Sequence, residues 1–496
     1  MAAFRQNASA TALIGLVAAL AHASAASAQD VGPDPSARAV SAPPPPQAAK
    51  PSYRGSYPAV GAPVRPAKPT KSRRLRQSAP LAPVVPAAIV VAPPAPILAA
   101  PGLPPLEPPR KNRRKVEADP YEPLGFDTGG LVFRPSIEAS GGYDTNPNRI
   151  PGARKGSAAF RQEGGLRIDS EWERHAFRAD LRGAYMEYPA VRSANRPEGQ
   201  GEANLRLDVL RDTQLDLGAA YAIATERPGS IEQPLATSKR STILNTGVNA
   251  TLTQRFGPAL VSLRGAVDRT AYGAVTQPDG VEVSQDNRDL NAYSLRLRGG
   301  YELTPGVIPF VEALVDRRVY DATINVGGYE RSSSGVQGRV GSTFEITRTL
   351  TGEASAGYGT RDYEDPRLSG LRGPVADAAL IWSATPLTTV TLRGASSLAE
   401  TTVVGAAGAQ VRTVAVDVSH ALLRNLIISA TGAFYQNDYV GQPLRESGYT
   451  AGLKLEYKLT RSVAMKASFT HERLNAATPG SDYTANVFLV GLRLQP

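Results

Sequence analysis

The sequence predicts an all-β fold: a transmembrane, antiparallel, up-and-down β-barrel of about 18 strands, preceded by a disordered Pro-rich segment. Three observations carry that expectation. Apolar and polar residues alternate through most of the chain, short and long connections follow one another in turn, and the N-terminus reads as an export signal. No later apolar run approaches the roughly 18 residues that a membrane helix needs.

Arg5 precedes a short apolar run over residues 11–21, and small residues lead to Ala26-Ser27-Ala28. A positive start, a short apolar core and an A-x-A site describe a secretory signal peptide over residues 1–28. The chain has no cysteine, which excludes a lipobox anchor, disulfides and thiolate metal sites.

Residues 29–119 form a Pro/Ala-rich basic segment, with four prolines in a row at 43–46. Proline fixes φ and removes a backbone donor, so this stretch should be extended, without a core, and periplasmic. Residues 1–119 carry 15 Lys+Arg against 5 Asp+Glu, whereas residues 120–496 carry 40 of each. The basic balance therefore belongs to the tail, and the folded part shows no electrostatic footprint for nucleic acid. Two clusters stand out: Lys71, Arg73, Arg74 and Arg76, then Arg110, Lys111, Arg113, Arg114 and Lys115. The segment reads first as a disordered spacer kept soluble by its charge; the alternative is that these clusters contact cell-wall polymer, lipid headgroups or an acidic periplasmic partner.

The barrel is expected over 120–496. In residues 202–223, Ala203, Leu205, Leu207 and Val209 alternate with Glu202, Asn204, Arg206 and Asp208, and the pattern resumes after a polar turn at 211–213. Successive strand side chains point to opposite faces, so one face is apolar and the other charged. Short turns are expected near Arg174, Asp212, Gly257, Pro305, Arg348, Pro386, Arg424 and Arg461. Longer connections are expected at 144–156, 189–198, 227–239, 273–287, 321–331, 365–372, 405–408, 441–445 and 475–480. Seventeen connections imply 18 strands. Strict alternation of their lengths puts all tight turns at one end, the layout of outer-membrane barrels; a Greek-key sandwich would mix them.

In such a barrel apolar residues face lipid and polar ones the lumen. The lumen-facing candidates are Arg178, Asp180, Arg182, Arg206, Asp208, Arg264, Arg296, Arg298, Glu302, Arg393, Lys454 and Glu456. Tyr143, Tyr185, Tyr188, Tyr221, Tyr272, Tyr320, Tyr358, Tyr435 and Tyr439 fall near long-loop ends and are expected to form an aromatic girdle. Phe488, Val490, Leu492 and Leu494 make one face of a final strand of the kind read by the barrel-assembly machinery, although the chain ends Leu494-Gln495-Pro496 rather than on an aromatic residue.

No catalytic, cofactor or metal site is expected. The histidines, His22, His175, His420 and His471, show no ligand spacing. Gly-x-Ser-x-Gly is missing, and Asp417, Ser419 and His420 share a strand without defining a triad.

The first long loop opens with Gly142-Tyr143-Asp144-Thr145-Asn146-Pro147-Asn148-Arg149. This stretch, following SIEAS, resembles the opening strand and loop of the outer-membrane β-barrel porin family of the BBP2 type. The similarity runs from about Leu131 to the C-terminus. It implies a porin-like protein of a Gram-negative outer membrane without catalytic residues, and some relatives are associated with exopolysaccharide export. Read from its residues alone, the motif is an Asx-turn shaped by Pro147. Three functions follow as expectations: passive passage of small hydrophilic solutes, export of an exopolysaccharide, or an envelope anchor whose tail is the working part. In polyproline form the tail would reach on the order of 200 Å.

Overall fold

The computed structural model describes residues 120–152, 155–226, 239–277, 279–347, 349–403 and 405–496. The expected signal peptide, the Pro-rich segment with both basic clusters, residues 227–238 of one long connection and Arg348 lie outside the described residues.

Eighteen long strands follow a three-residue leading strand, Phe126–Thr128. The first six are β1 (Leu131–Asp144), β2 (Ser157–Ser170), β3 (Ala176–Glu187), β4 (Arg196–Asp208), β5 (Thr213–Thr225) and β6 (Thr242–Phe256). The next six are β7 (Ala259–Tyr272), β8 (Leu290–Tyr301), β9 (Val307–Tyr320), β10 (Ser333–Thr347), β11 (Leu350–Tyr363) and β12 (Leu371–Thr385). The last six are β13 (Thr388–Ala399), β14 (Gly408–Leu423), β15 (Leu426–Val440), β16 (Arg445–Lys458), β17 (Val463–Asn475) and β18 (Tyr483–Leu494).

Each strand pairs antiparallel with its sequence neighbours, and β1 pairs with β18 from Ile137↔Leu494 to Asp144↔Val487. That last ladder closes the barrel and removes the sheet edges. The seam is tight at Gly142, where a Cβ would lie 1.8 Å from the Phe488 carbonyl oxygen. Only a residue without a side chain fits there.

The burial pattern is inverted relative to a water-soluble sandwich. Leu297 is 52% exposed and Val340 63%, and Leu295, Val311, Leu453, Phe488, Val490 and Leu492 are likewise exposed. Their neighbours in sequence, Arg296, Glu312 and Arg339, are buried. A continuous apolar belt of this extent is costly in water and fits hydrocarbon.

Among the described residues, connections on one side run over 171–175, 209–212, 257–258, 302–306, 386–387, 424–425 and 459–462, and the same rim carries the end of β10 at Thr347 and the start of β11 at Leu350. The seven expected turns that fall on described residues are at this rim. Gly257 takes φ 58° in a two-residue turn, a conformation that a Cβ would strain. Register shifts at Glu345/Thr347, Ser383/Thr385 and Ala421/Leu423 bend the strands just before their turns. Both ends of the described barrel meet here: Arg461 Nε donates to Pro120 O at 2.7 Å, and Gln495 N to Ser462 O at 2.9 Å.

Two expectations need correction. Connection length does not alternate strictly, because 441–444 on the long-loop side is no longer than the turn at 459–462. The aromatic girdle is also partial. Tyr143, Tyr185 and Tyr358 face outward and are exposed, but Tyr188, Tyr320, Tyr435 and Tyr439 are buried, and Tyr272 lies beneath the Arg288 guanidinium at 4.0 Å. Position near a strand end does not set the face; parity does, and Tyr272, Tyr320 and Tyr435 occupy inward positions of their strands.

Candidate functional site: the charged inner wall

Side chains that bridge strands which are not neighbours identify the concave face. Arg298 on β8 reaches Glu353 on β11 through bonds of 2.9 and 2.7 Å, passing over β9 and β10. Following the ladders from Arg298 puts Glu312, Arg339 and Asp377 on this face, each one or two strands on.

Eleven of the twelve candidates fall at inward register positions, in several local groups, and Glu302 lies in the connection just after β8. Asp169 gathers Arg134 (2.9 Å), Arg167 (2.8 Å) and Arg178 (3.2 Å). Asp180 accepts two bonds from Arg182, at 2.8 and 2.9 Å. Arg206 Nε pairs with Asp208 at 3.0 Å, and Glu302 with Arg255 at 2.9 Å near the short turns. Arg264 stands opposite Arg296, which is 3.5 Å from Glu312. Arg298 also covers the Phe310 ring at 3.4 Å. Lys454 lies opposite Ser429 and Ser468, and Glu456 opposite Lys466, whose ammonium is 2.7 Å from Glu138. Among the described residues, no carboxylate stands within 4.0 Å of the Arg264 or Arg393 guanidinium. Bidentate arginine–carboxylate pairs hold a fixed geometry, so this wall is a pattern of immobile charges of both signs.

At the long-loop end, loops pack against the same face. Tyr188, Val191 and Ala194 of the 188–195 loop bury themselves on the wall residues Ala159, Met186 and Leu489. The first loop turns inward as well. Asn146 N donates to Asp144 Oδ1 at 2.8 Å, the expected Asx-turn, and Arg149 takes φ 54°. A left-handed conformation costs a non-glycine residue about 1–2 kcal/mol. It is held because Arg149 is 2.7 Å from Asp144 Oδ2 and 3.1 Å from Glu472 Oε2. Burial alone would lower the Arg149 pKa, but Glu472 and Asp144 together outweigh it and hold the group above its ordinary value. Burial pushes the Tyr188 phenol up, so it remains a donor to Asp144 at 3.1 Å.

A second node ties the loop after β13. Glu400 receives Tyr320 Oη at 3.0 Å, Arg361 Nη1 at 3.3 Å and the Ser333 hydroxyl, with Arg318 Nη1 at 3.6 Å. Arg331, from the 321–332 loop, donates to the carbonyls of Thr401 and Val403. A third pair, Arg288 with Glu226, makes two bonds of 2.9 Å and is fully enclosed. Sequence reasoning did not single out Arg149, Arg288, Arg318, Arg331, Arg361 or Glu400. Strand parity marks Arg318 and Arg361 as inward; the loop residues carry no periodic signal.

The weak trio of β14 does not assemble. Asp417 and Ser419 lie at inward positions, while His420 has the opposite parity and meets Thr388 Oγ1 at 2.9 Å.

A family model described as "Putative beta-barrel porin 2" matches residues 119–496. No curated protein matches the chain. Similar solved structures include OpdQ of Pseudomonas aeruginosa, at 14% identity over 73% of this chain and 98% of that one, with TM-score 0.36. OccAB3 of Acinetobacter baumannii is 13% identical over 73% and 99%, with TM-score 0.36. The siderophore receptor PirA, also of Acinetobacter baumannii, is 8% identical over 73% and 80%, with TM-score 0.38.

Proposed function

The chain belongs to the "Putative beta-barrel porin 2" family of porin-like outer-membrane barrels, and we propose that it gives small hydrophilic solutes passive passage. One observation carries this reading: the inner wall combines fixed ion pairs with a sector of small polar residues. On β13–β15 the inward positions between Arg393 and Asp417 include Thr389, Thr391, Ser419, Ser429 and Thr431. Barrels of 16–18 strands are wide enough for an aqueous channel. Charges of both signs along it favour weak selectivity over a single-ion filter.

A polysaccharide conduit would favour exposed aromatic rings along the path. The inward tyrosines Tyr188, Tyr320, Tyr435 and Tyr483 are buried, which supports small solutes over a sugar polymer. The Pro-rich segment would enter the periplasm from the short-turn rim, where Pro120 is held. Contact of the outer belt with lipid and insertion by the assembly machinery are part of the same reading.

Liposome swelling tests it. Vesicles carrying the full mature chain should swell in small neutral sugars, at rates falling steeply as the sugars grow. Swelling no faster than protein-free vesicles, from a protein shown to be folded, would contradict passive passage.

A further inference from the structure

The outer surface above the apolar belt is not uniformly neutral. On β14–β17 the outward positions Val414, Phe434, Tyr449 and Arg473 stand side by side across one line of the ladder. Two residues further toward the long-loop rim is Arg412, opposite Gln436; two beyond that is Arg445, opposite Asp438. By strand geometry the backbone positions of the three arginines spread over about 14 Å across and about 13 Å along the strands, while the Arg412 and Arg445 guanidiniums converge on one carboxylate. Arg412 is 50% and Arg445 69% exposed, and both lean on the single carboxylate of Asp438, itself 24% exposed, which also accepts from Gln436 at 2.8 Å. Arg473 is exposed too. Of the other charges close by, Glu446 and Glu472 point inward, Asp482, exposed just before β18, accepts from Ala476 N at 2.8 Å, and His471 bonds Asn486 Oδ1 at 2.7 Å.

The remaining outward strand arginines at this rim differ. Arg269 is matched by Asp321 (2.7 Å) and Asp289 (3.2 Å), and Arg317 by Glu364 (3.0 Å). Arg372 is exposed but stands alone on β12. Among the described residues, only β14–β17 carries three cations around the one strand carboxylate Asp438, with Arg412 and Arg445 above, and Arg473 level with, the exposed rings of Phe434 and Tyr449. Cations placed just beyond an apolar belt lie at headgroup depth, where desolvated guanidiniums take phosphate bidentately.

We infer that Arg412, Arg445 and Arg473 form a lipid site on the outer face of the barrel, taking the phosphates of a glycolipid headgroup in the leaflet at the long-loop rim. Phe434, Tyr449 and Phe469 supply the surface for its acyl chains. The occupant is a glycolipid with more than one phosphate, since Arg473, on the next strand and four residues nearer the belt than Arg445, stands apart from the converging Arg412 and Arg445.

Native mass spectrometry of the full mature chain in detergent tests this, with diphosphorylated lipid A, its monophosphorylated form and phosphatidylglycerol as probes. Wild type should retain diphosphorylated lipid A at least ten-fold more strongly than either other lipid. Arg412→Ala/Arg445→Ala/Arg473→Ala should lose that preference, and Arg372→Ala should keep it. Equal retention of the three lipids by wild type overturns the proposal without any variant. So does unchanged preference in the triple variant. If the triple alanine variant does not fold, the Lys-for-Arg triple keeps the charge but not the bidentate geometry; it should lose at least half of the preference, and an unaltered preference overturns the site.

Discussion

Arg149 shows how much one side chain can carry. It sits in a left-handed conformation, buried between Asp144 and Glu472, and its removal leaves two carboxylates without their cation. Breaking a buried pair costs about 3–5 kcal/mol. Arg149→Ala should therefore lower the urea midpoint of the folded barrel markedly, whereas Arg372→Ala, exposed, should leave it unchanged; equal midpoints would contradict the bracing role. The two faces make a second comparison. Leu297→Arg puts a charge into the lipid belt and should cost about 2–4 kcal/mol, while Asn249→Lys at an inward position should change stability by less than about 1 kcal/mol. Similar losses in equilibrium unfolding would mean that the faces are misassigned. Strand alternation made the inward arginines legible because period-2 patterning survives in every strand. Arg149 and Glu400 were not legible as partners, since they themselves lie in loops without a period and Glu472, Arg318 and Arg361, which they meet, lie hundreds or tens of positions away.

The strands and their connections were read almost completely from the chain. Among the described residues the turns and loops stand where Gly, Pro and polar clusters put them, because a hairpin turn needs particular dihedrals and leaves a local mark. The inward packing of loops left no such mark, because it depends on which wall residues happen to lie beneath. The aromatic girdle is partial for a related reason: distance from a strand end is visible in sequence, but inward parity decides the place of Tyr272, Tyr320 and Tyr435. Two elements can be challenged directly. Gly142→Val would drive a side chain into the Phe488 carbonyl across the β1–β18 seam, and closure should fail, seen as loss of the compact, heat-modifiable form on a gel. A normal compact form would show that the seam is slack. Glu400→Gln removes the carboxylate shared by Arg318 and Arg361 and loosens the 400–407 loop, so single-channel current should flicker where wild type is steady. An equally quiet variant would mean that the loop is held by other contacts.

At the largest scale, the described barrel is a closed belt of outward apolar residues around a wall of paired charges, narrowed at one rim by loops fixed to that wall. Fold class was legible because inside and outside alternate with the strand period. Solute choice was not, because it depends on which inward charges approach each other across the barrel. The anchoring reading belongs to residues 29–119, outside the described residues, and comparing the full mature chain with a chain lacking them separates a tail that plugs from one that tethers. The most direct measurement is single-channel conductance of the full mature chain in a planar bilayer under a salt gradient. The account predicts a large, steady conductance with a reversal potential close to zero, since charges of both signs line the wall. Silence from a barrel shown to be folded, before and after removal of residues 29–119, would contradict an open pore.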